Sequence, residues 1–391
     1  MHAKSAPVDP LKAGRSSNEA QQIIALAARV FANKPFVPHS LFGGGHAQTL
    51  VAYAWPRRYR LPSAPDEARL FEVAPGVAVL ARCRWHPDRQ NRPTLVTSHG
   101  IEGSVSSVYM KATAQKGFRL GFNVVRVNLR NCGGTEHLTP TLYHGGLSED
   151  LRAVTTELIE RDGLSEISLI GFSLGGNLVL KLAGEYGNEP PKAVRAICAI
   201  SPSVDLSASA EEIERRSNWL YHQDFLRRLR KRIYLKKRLY PELYDLAKIH
   251  LVRTIRDFDE HFTSRAHGFV NADDYYSQAS SIRVLAEIRI PTLIIHAQDD
   301  PFIPFAPLTN PAISSNPNIL LLAPERGGHV AFVAANSSRS IVSTEDTVTV
   351  RSQFHSDYAE FMESESQSED RFWAENRALE FCQLATKFLA T

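Results

Sequence analysis

Gly171-Phe172-Ser173-Leu174-Gly175 is the stretch on which the reading of this chain turns. The run Ile167-Ser168-Leu169-Ile170 leads into it as a short strand, and Leu174, Gly175, Gly176 and Asn177 open a helix behind it. A glycine on each side lets the strand turn sharply into the helix and forces the serine between them into a strained, exposed position. G-x-S-x-G alone arises often by accident; the strand before it and the helix after it make it specific. Ser173 is therefore the candidate nucleophile. The N–H of Leu174, at the helix start, is one candidate donor for an oxyanion.

A serine hydroxyl needs a base to take its proton. In chain order Ser, Asp, His, both partners follow later strands. Ile294-Ile295-His296-Ala297 ends one strand and Gln298-Asp299-Asp300-Pro301-Phe302-Ile303-Pro304 follows it. Leu320-Leu321-Leu322 ends the next, and Arg326-Gly327-Gly328-His329-Val330 follows that. His329 is the candidate base, because it sits beyond a late strand behind two glycines. Of the two adjacent carboxylates Asp300 is taken as the acid, from its four-residue step to Pro304. Asp299, in a turn-initiating neighbourhood, remains the competitor. A second oxyanion donor belongs to the loop Ser98-His99-Gly100-Ile101-Glu102-Gly103. Gly100 allows close backbone approach, and the N–H of Ile101 is the choice. His99 is read as a packed loop residue.

Outward from these motifs, strands and helices alternate along most of the chain. That pattern predicts an α/β fold: a mostly parallel central sheet with helices on both faces. Residues 1–34 form an N-terminal extension with an amphipathic helix over 19–32, and 35–56 reads as a loop. Residues 35–202 are the first part of the core. Residues 203–288, helical, charged and aromatic, read as a lid inserted between two sheet strands. Residues 289–391 complete the core and carry a polar loop over 336–370.

A formal charge of +3 over 391 residues is too small to imply a nucleic-acid partner. The four cysteines lie far apart without a C-x-x-C pair, so zinc and redox motifs are not suggested, and a reducing compartment is expected. Cys132, in a Gly-flanked loop, reads as a small buried apolar residue. No apolar run approaches the ~20 residues of a spanning helix, and no secretory pattern is evident. A cytoplasmic protein, peripheral to a membrane at most, is expected. No dinucleotide fingerprint or metal cluster is seen, so no cofactor is expected.

Further motifs carry a resemblance. They are Gly45-His46-Ala47-Gln48-Thr49; His99-Gly100-Ile101-Glu102-Gly103 with Tyr109-Met110; Asn128-Leu129-Arg130-Asn131-Cys132-Gly133-Gly134; Tyr143-His144 with Gly146; and Thr254-Ile255-Arg256-Asp257-Phe258-Asp259 with Tyr275-Tyr276. With these the chain resembles the YheT-like α/β hydrolases, a group related to eukaryotic α/β-hydrolase-domain lipases, from about residue 35 to the C-terminus. The resemblance implies the α/β-hydrolase fold, a Ser-Asp-His triad at Ser173, Asp300 and His329, and esterase or lipase activity. Where that group usually reads Phe-Arg-Gly, this chain has Leu129-Arg130-Asn131. His46 and Gln48 are read as structural.

Residues 224–240 form a basic helix whose apolar stripe runs through Phe225, Leu229 and Ile233. Arg227, Arg228, Arg230, Lys231, Lys236, Lys237 and Arg238 occupy much of the rest. Such a helix reads as a solvated lid packed by its stripe, or as a peripheral contact with anionic membrane. The expected function is hydrolysis of carboxylic esters: short- to medium-chain esters, acylglycerols or phospholipids. The alternatives are acyl transfer to an alcohol through the same acyl-enzyme and a catalytically silent ligand-binding protein. Aspartate-nucleophile chemistry, as in haloalkane and epoxide hydrolases, is disfavoured by the serine at the elbow.

Overall fold

A computed structural model describes residues 17–55, 57, 66–335 and 369–387. The polar loop expected over 336–370 lies outside the described residues except for Glu369 and Asp370.

Eight strands form one sheet in the order β1-β2-β4-β3-β5-β6-β7-β8. β1 (Glu67–Ala74) and β2 (Val77–Arg84) make a hairpin, and β2 pairs antiparallel with β4 (Asn123–Val127). From β4 onward every pairing is parallel, through β3 (Thr94–Ser98), β5 (Ile167–Phe172), β6 (Val194–Ile200), β7 (Thr292–Ile295) and β8 (Ile319–Leu322). Central β3, β4 and β5 are buried at every residue. Helices cover both of their faces, which is why they read as continuous apolar runs rather than alternating ones.

One face carries α1 (Ser17–Ala32), α3 (Val108–Arg119) and the C-terminal helix Trp373–Lys387. Ile23, Ala27 and Phe31 of α1 are buried there, as its amphipathic spacing predicts. The other carries α4 (Ser148–Glu160) and α5 (Leu174–Tyr186), and its core continues into the cap. The cap lies between β6 and β7 and is helical, with α6 (Leu206–Ile213) and the long α7 (Trp219–Leu239).

Two expectations are corrected. The segment read as loop over 35–56 contains a helix, α2 (Gly45–Ala54). Its glycines suggested a turn, but Gly45 serves close packing: a side chain there would meet the Asp299 carbonyl oxygen at 1.9 Å. Lys236, counted with the solvated basic face of the cap helix, is fully buried, and its ammonium donates to the carbonyls of Glu136 and Thr139.

Candidate active site

Parallel strands all open at the same sheet edge, so the loops after β3, β5, β6, β7 and β8 meet there. Ser173 bridges β5 and α5 at φ 55° and ψ −118°, a conformation that is costly for any residue with a side chain. The glycines around it are dictated by space. A Cβ at Gly171 would sit 2.1 Å from the Gly175 carbonyl oxygen, and one at Gly175 would sit 2.4 Å from that of Ser98.

After β7, Asp300 folds into a turn in which its Oδ1 accepts from the N–H of Phe302 at 2.8 Å and of Ile303 at 3.1 Å. Its Oδ2 meets His329 Nδ1 at 2.8 Å. Burial alone would raise the Asp300 carboxyl; the His329 ring beside it and these donors hold it below the ordinary carboxylate value. An ionised carboxylate only accepts, so Nδ1 of His329 carries the proton and Nε2 is left as the basic nitrogen.

Asp299 has a different part. Its Oδ1 accepts from the N–H of Gly328 at 2.9 Å, tying the acid turn to the histidine loop. That loop is bent tightly: Gly328 and Val330 both have positive φ, the second an unusual position for a β-branched residue. The His329 N–H donates to Thr49 Oγ1 at 2.9 Å, and Thr49 Oγ1 donates to the Gly45 carbonyl at 2.7 Å, so α2 seats the histidine. Gln48, wholly buried, spans Phe42 and Val333 with three hydrogen bonds and is structural. His46 stacks on Tyr221 of the cap at 5.9 Å.

The end of β6 brings the two halves of the site together. Ser173 N–H donates to the carbonyl of Ile200 at 2.9 Å, and Val330 N–H donates to Oγ of the next residue, Ser201, at 3.0 Å. The nucleophile and base loops thus hang from consecutive residues of one strand end. Among the described residues no hydrogen bond joins the Ser173 hydroxyl to the His329 ring. Catalytic contacts of this kind often tighten only when substrate binds.

In the loop after β3, the N–H groups on both sides of Ile101 are engaged. Gly100 N–H donates to Tyr109 OH and Glu102 N–H to Tyr143 OH, each at 3.1 Å, while Gly103 N–H donates to the Gly100 carbonyl at 3.0 Å. The N–H of Ile101 has no acceptor among the described residues, nor has that of Leu174 at the first position of α5, where no intrahelical partner exists. Both residues and Ser173 line one cavity. Gly100 lies against the nucleophile, since a Cβ there would come within 2.9 Å of Ser173 Cβ. His99 is fully buried: Nε2 accepts from Leu129 N–H at 3.1 Å, so Nδ1 donates to the Gly100 carbonyl at 2.8 Å. Burial pushes its pKa down to about 4, so it is a neutral framework residue.

The cavity holds about 730 Å³, its open mouth included, and runs under the cap between mostly apolar walls. Among the polar groups lining it, Arg232, Asp259 and Tyr276 were given no role from the sequence. Helical spacing offered a signal for the first, since positions 229, 232, 233 and 236 share one face of α7 and Leu229 and Ile233 were already assigned inward. Asn131, where the related group has glycine, takes φ 63°, the left-handed region that asparagine tolerates best after glycine, and the loop keeps its turn.

The profile of the α/β hydrolase fold family matches residues 93–335. The chain is 33% identical to a protein of Escherichia coli named putative esterase YheT, over 80% of this chain and 91% of that one. It is 30% identical to mouse phospholipase ABHD3 over 64% of this chain and 60% of that protein. It is 33% identical to a monoacylglycerol lipase of Saccharomyces cerevisiae over 63% of this chain and 56% of that one. The match thus spans less than two thirds of the length of these two eukaryotic relatives.

Proposed function

The chain belongs to the α/β-hydrolase family of esterase and lipase type, and from that premise we propose that it cleaves carboxylic esters with Ser173 as nucleophile, His329 as base and Asp300 as orienting acid. Ser173 Oγ attacks the ester carbonyl carbon while its proton passes to His329 Nε2. The carbonyl oxygen takes the negative charge and is held by the N–H groups of Leu174 and Ile101, the first reinforced by the N-terminal end of the α5 dipole. As the carbon–oxygen ester bond breaks, His329 returns the proton to the leaving alkoxide. Water then attacks the acyl-serine, with His329 again taking a proton; the bond from the acyl carbon to Ser173 Oγ breaks, His329 hands the proton to Oγ, and the carboxylic acid departs. Asp300 keeps the ring oriented and stabilises its charged form throughout.

The observation that carries this reading is the Asp300–His329 hydrogen bond, anchored to the same strand end as a strained serine. The apolar walls of the cavity favour an acyl chain as the buried part of the substrate, and acylglycerols or phospholipids fit the names of the relatives. Membrane contact is proposed through the start of α7, where Trp219 and Leu220 are exposed beside Tyr221, which stacks on His46 and meets Phe302 edge-on near His329. No helix among the described residues is long and apolar enough to cross a membrane.

The direct test is labelling by a fluorophosphonate, read by mass spectrometry of the modified peptide. Wild type is expected to label at Ser173 and Ser173→Ala to remain unmodified; a folded wild-type protein that does not label would defeat the reading.

A further inference from the structure

We propose that Arg232 of the cap helix is a positioning residue for the oxyanion hole, acting through Glu102 and Tyr143 on the N–H of Ile101; this rests on the ester-hydrolase reading above. The loop after β3 passes through Glu102 at φ 53°, a region that residues with side chains rarely occupy, so something must hold it there. The Glu102 N–H donates to Tyr143 OH, and Tyr143 OH donates back to Glu102 Oε1 at 2.9 Å. The same carboxylate is gripped from the cap by both prongs of the Arg232 guanidinium, Nε to Oε1 and Nη2 to Oε2, each at 2.9 Å. Arg232 Nη1 donates to the Asn131 carbonyl, and its guanidinium carbon stands 5.3 Å over the Tyr143 ring. Side-chain exposures of 8% for Arg232 and 7% for Glu102 place the ion pair out of water.

The peptide on each side of Ile101 is therefore pinned, on one side by Tyr109 and on the other by this cluster, and the unengaged N–H lies between them. A buried carboxylate that loses its arginine is uncompensated and must move or take up a proton. Either change releases Tyr143 and the Glu102 peptide, and the Ile101 N–H loses its aim. Loss of one oxyanion donor costs about 10²–10³ in kcat. A tie that only held the cap in place would act on stability or on KM. An oxyanion donor acts in the transition state and so appears in kcat.

The experiment measures kcat and KM on a soluble nitrophenyl ester, with active sites counted by fluorophosphonate titration. It compares wild type with Arg232→Met, Glu102→Gln, their double variant and Tyr143→Phe. Arg232→Met and Glu102→Gln are each expected to lose about 10–100-fold in kcat with KM within about twofold. The double variant should be no worse than the more damaged single one, because both act through one path. Tyr143→Phe removes a hydroxyl and no charge, so it carries the test even where the charge variants fail to fold; a loss of roughly 3–10-fold in kcat is expected. Unchanged kcat in Tyr143→Phe and in every folded charge variant, or losses confined to KM, would overturn the proposal while leaving a labelled Ser173 intact. Failure of wild type to label removes the ester-hydrolase reading and this proposal together.

Discussion

The elbow at Ser173 and the cap helix α7 border the same cavity, yet they are held by different means. The elbow is fixed by backbone: two positions with no room for a side chain, one strained φ, and a main-chain hydrogen bond to the neighbouring strand. The cap is fixed by the ends of long side chains reaching some hundred residues back along the chain. Arg232 meets Glu102 and Asn131, Lys236 meets Glu136 and Thr139, and the hydroxyls of Tyr240 and Tyr244 donate to the carbonyls of His137 and Pro140 at 2.8 and 2.6 Å. The difference teaches that the basic run of α7 is two populations. Arg227, Arg228 and Lys231 are exposed, with Arg227 and Arg228 both paired to Asp224, while Arg232 and Lys236 are buried fasteners.

The largest expected effect tests the backbone-held side. Asp300→Asn should lower kcat by about 10⁴, because the amide favours the wrong histidine tautomer. Asp299→Asn should lose less than about tenfold, since an amide oxygen can still accept from Gly328 N–H. Steady-state kinetics on one ester decides between them, and equal losses would break the division of labour between the two carboxylates.

The cap side is sharpened by separating its two basic populations. Replacing Arg227, Arg228 and Lys231 with Gln should weaken binding to anionic vesicles about 10–100-fold at low salt, at up to about 1 kcal/mol for each charge near the surface. Trp219→Ala with Leu220→Ala should weaken it as well, by removing the apolar part of the contact. Lys236→Gln should behave in the opposite way, leaving vesicle binding intact while lowering stability by roughly 1–3 kcal/mol through unpaired carbonyls. Vesicle co-sedimentation and thermal melting read the two arms. Equal vesicle binding by wild type and the triple Gln variant would return the exposed face to a solvated cover.

The smallest effect concerns Asp259, in the single π-helical turn Asp259–Thr263 of the cap. Burial pushes its pKa up to about 6, against the pull of Thr263 and Tyr276, which donate to its two oxygens at 2.6 and 2.8 Å. In the unfolded chain it releases its proton near the ordinary value of about 4. Between about pH 4 and 6 the folded state therefore binds more protons than the unfolded one, and this group makes stability fall as pH rises. The fall should be on the order of 1–3 kcal/mol and should be absent from Asp259→Asn, as read by denaturant melts at pH 4 and pH 6.5. A slope that persists unchanged in the variant would assign it to another group.

Much of the catalytic edge was legible because the rules that build it are local. Gly171 and Gly175 flank Ser173, Asp300 turns back on residues two and three further on, and glycines at 327 and 328 precede His329. Strand order then brings these motifs to one edge without further instruction, because parallel strands point the same way. The choice between Asp299 and Asp300 is less local. It depends on which carboxylate faces the loop after β8, and only the fold shows that one meets the imidazole and the other the Gly328 N–H. The helix at 45–54 was missed for a related reason: Gly43-Gly44-Gly45 resembles a loop until the Asp299 carbonyl is seen packed against Gly45.

By itself, then, the sequence determined the sheet and the elbow and pointed to a candidate nucleophile, a candidate base and a pair of candidate acids, because hydrophobic period and glycine placement act over a few residues. Tertiary structure alone decided which charges of α7 are buried, that Glu102 and Arg232 join the loop after β3 to the cap, and that Thr49 seats His329. Those contacts lie 130 and 280 residues apart in the chain. A charged or hydroxyl side chain carries no local mark of whether its partner is water or a residue that folding delivers to it.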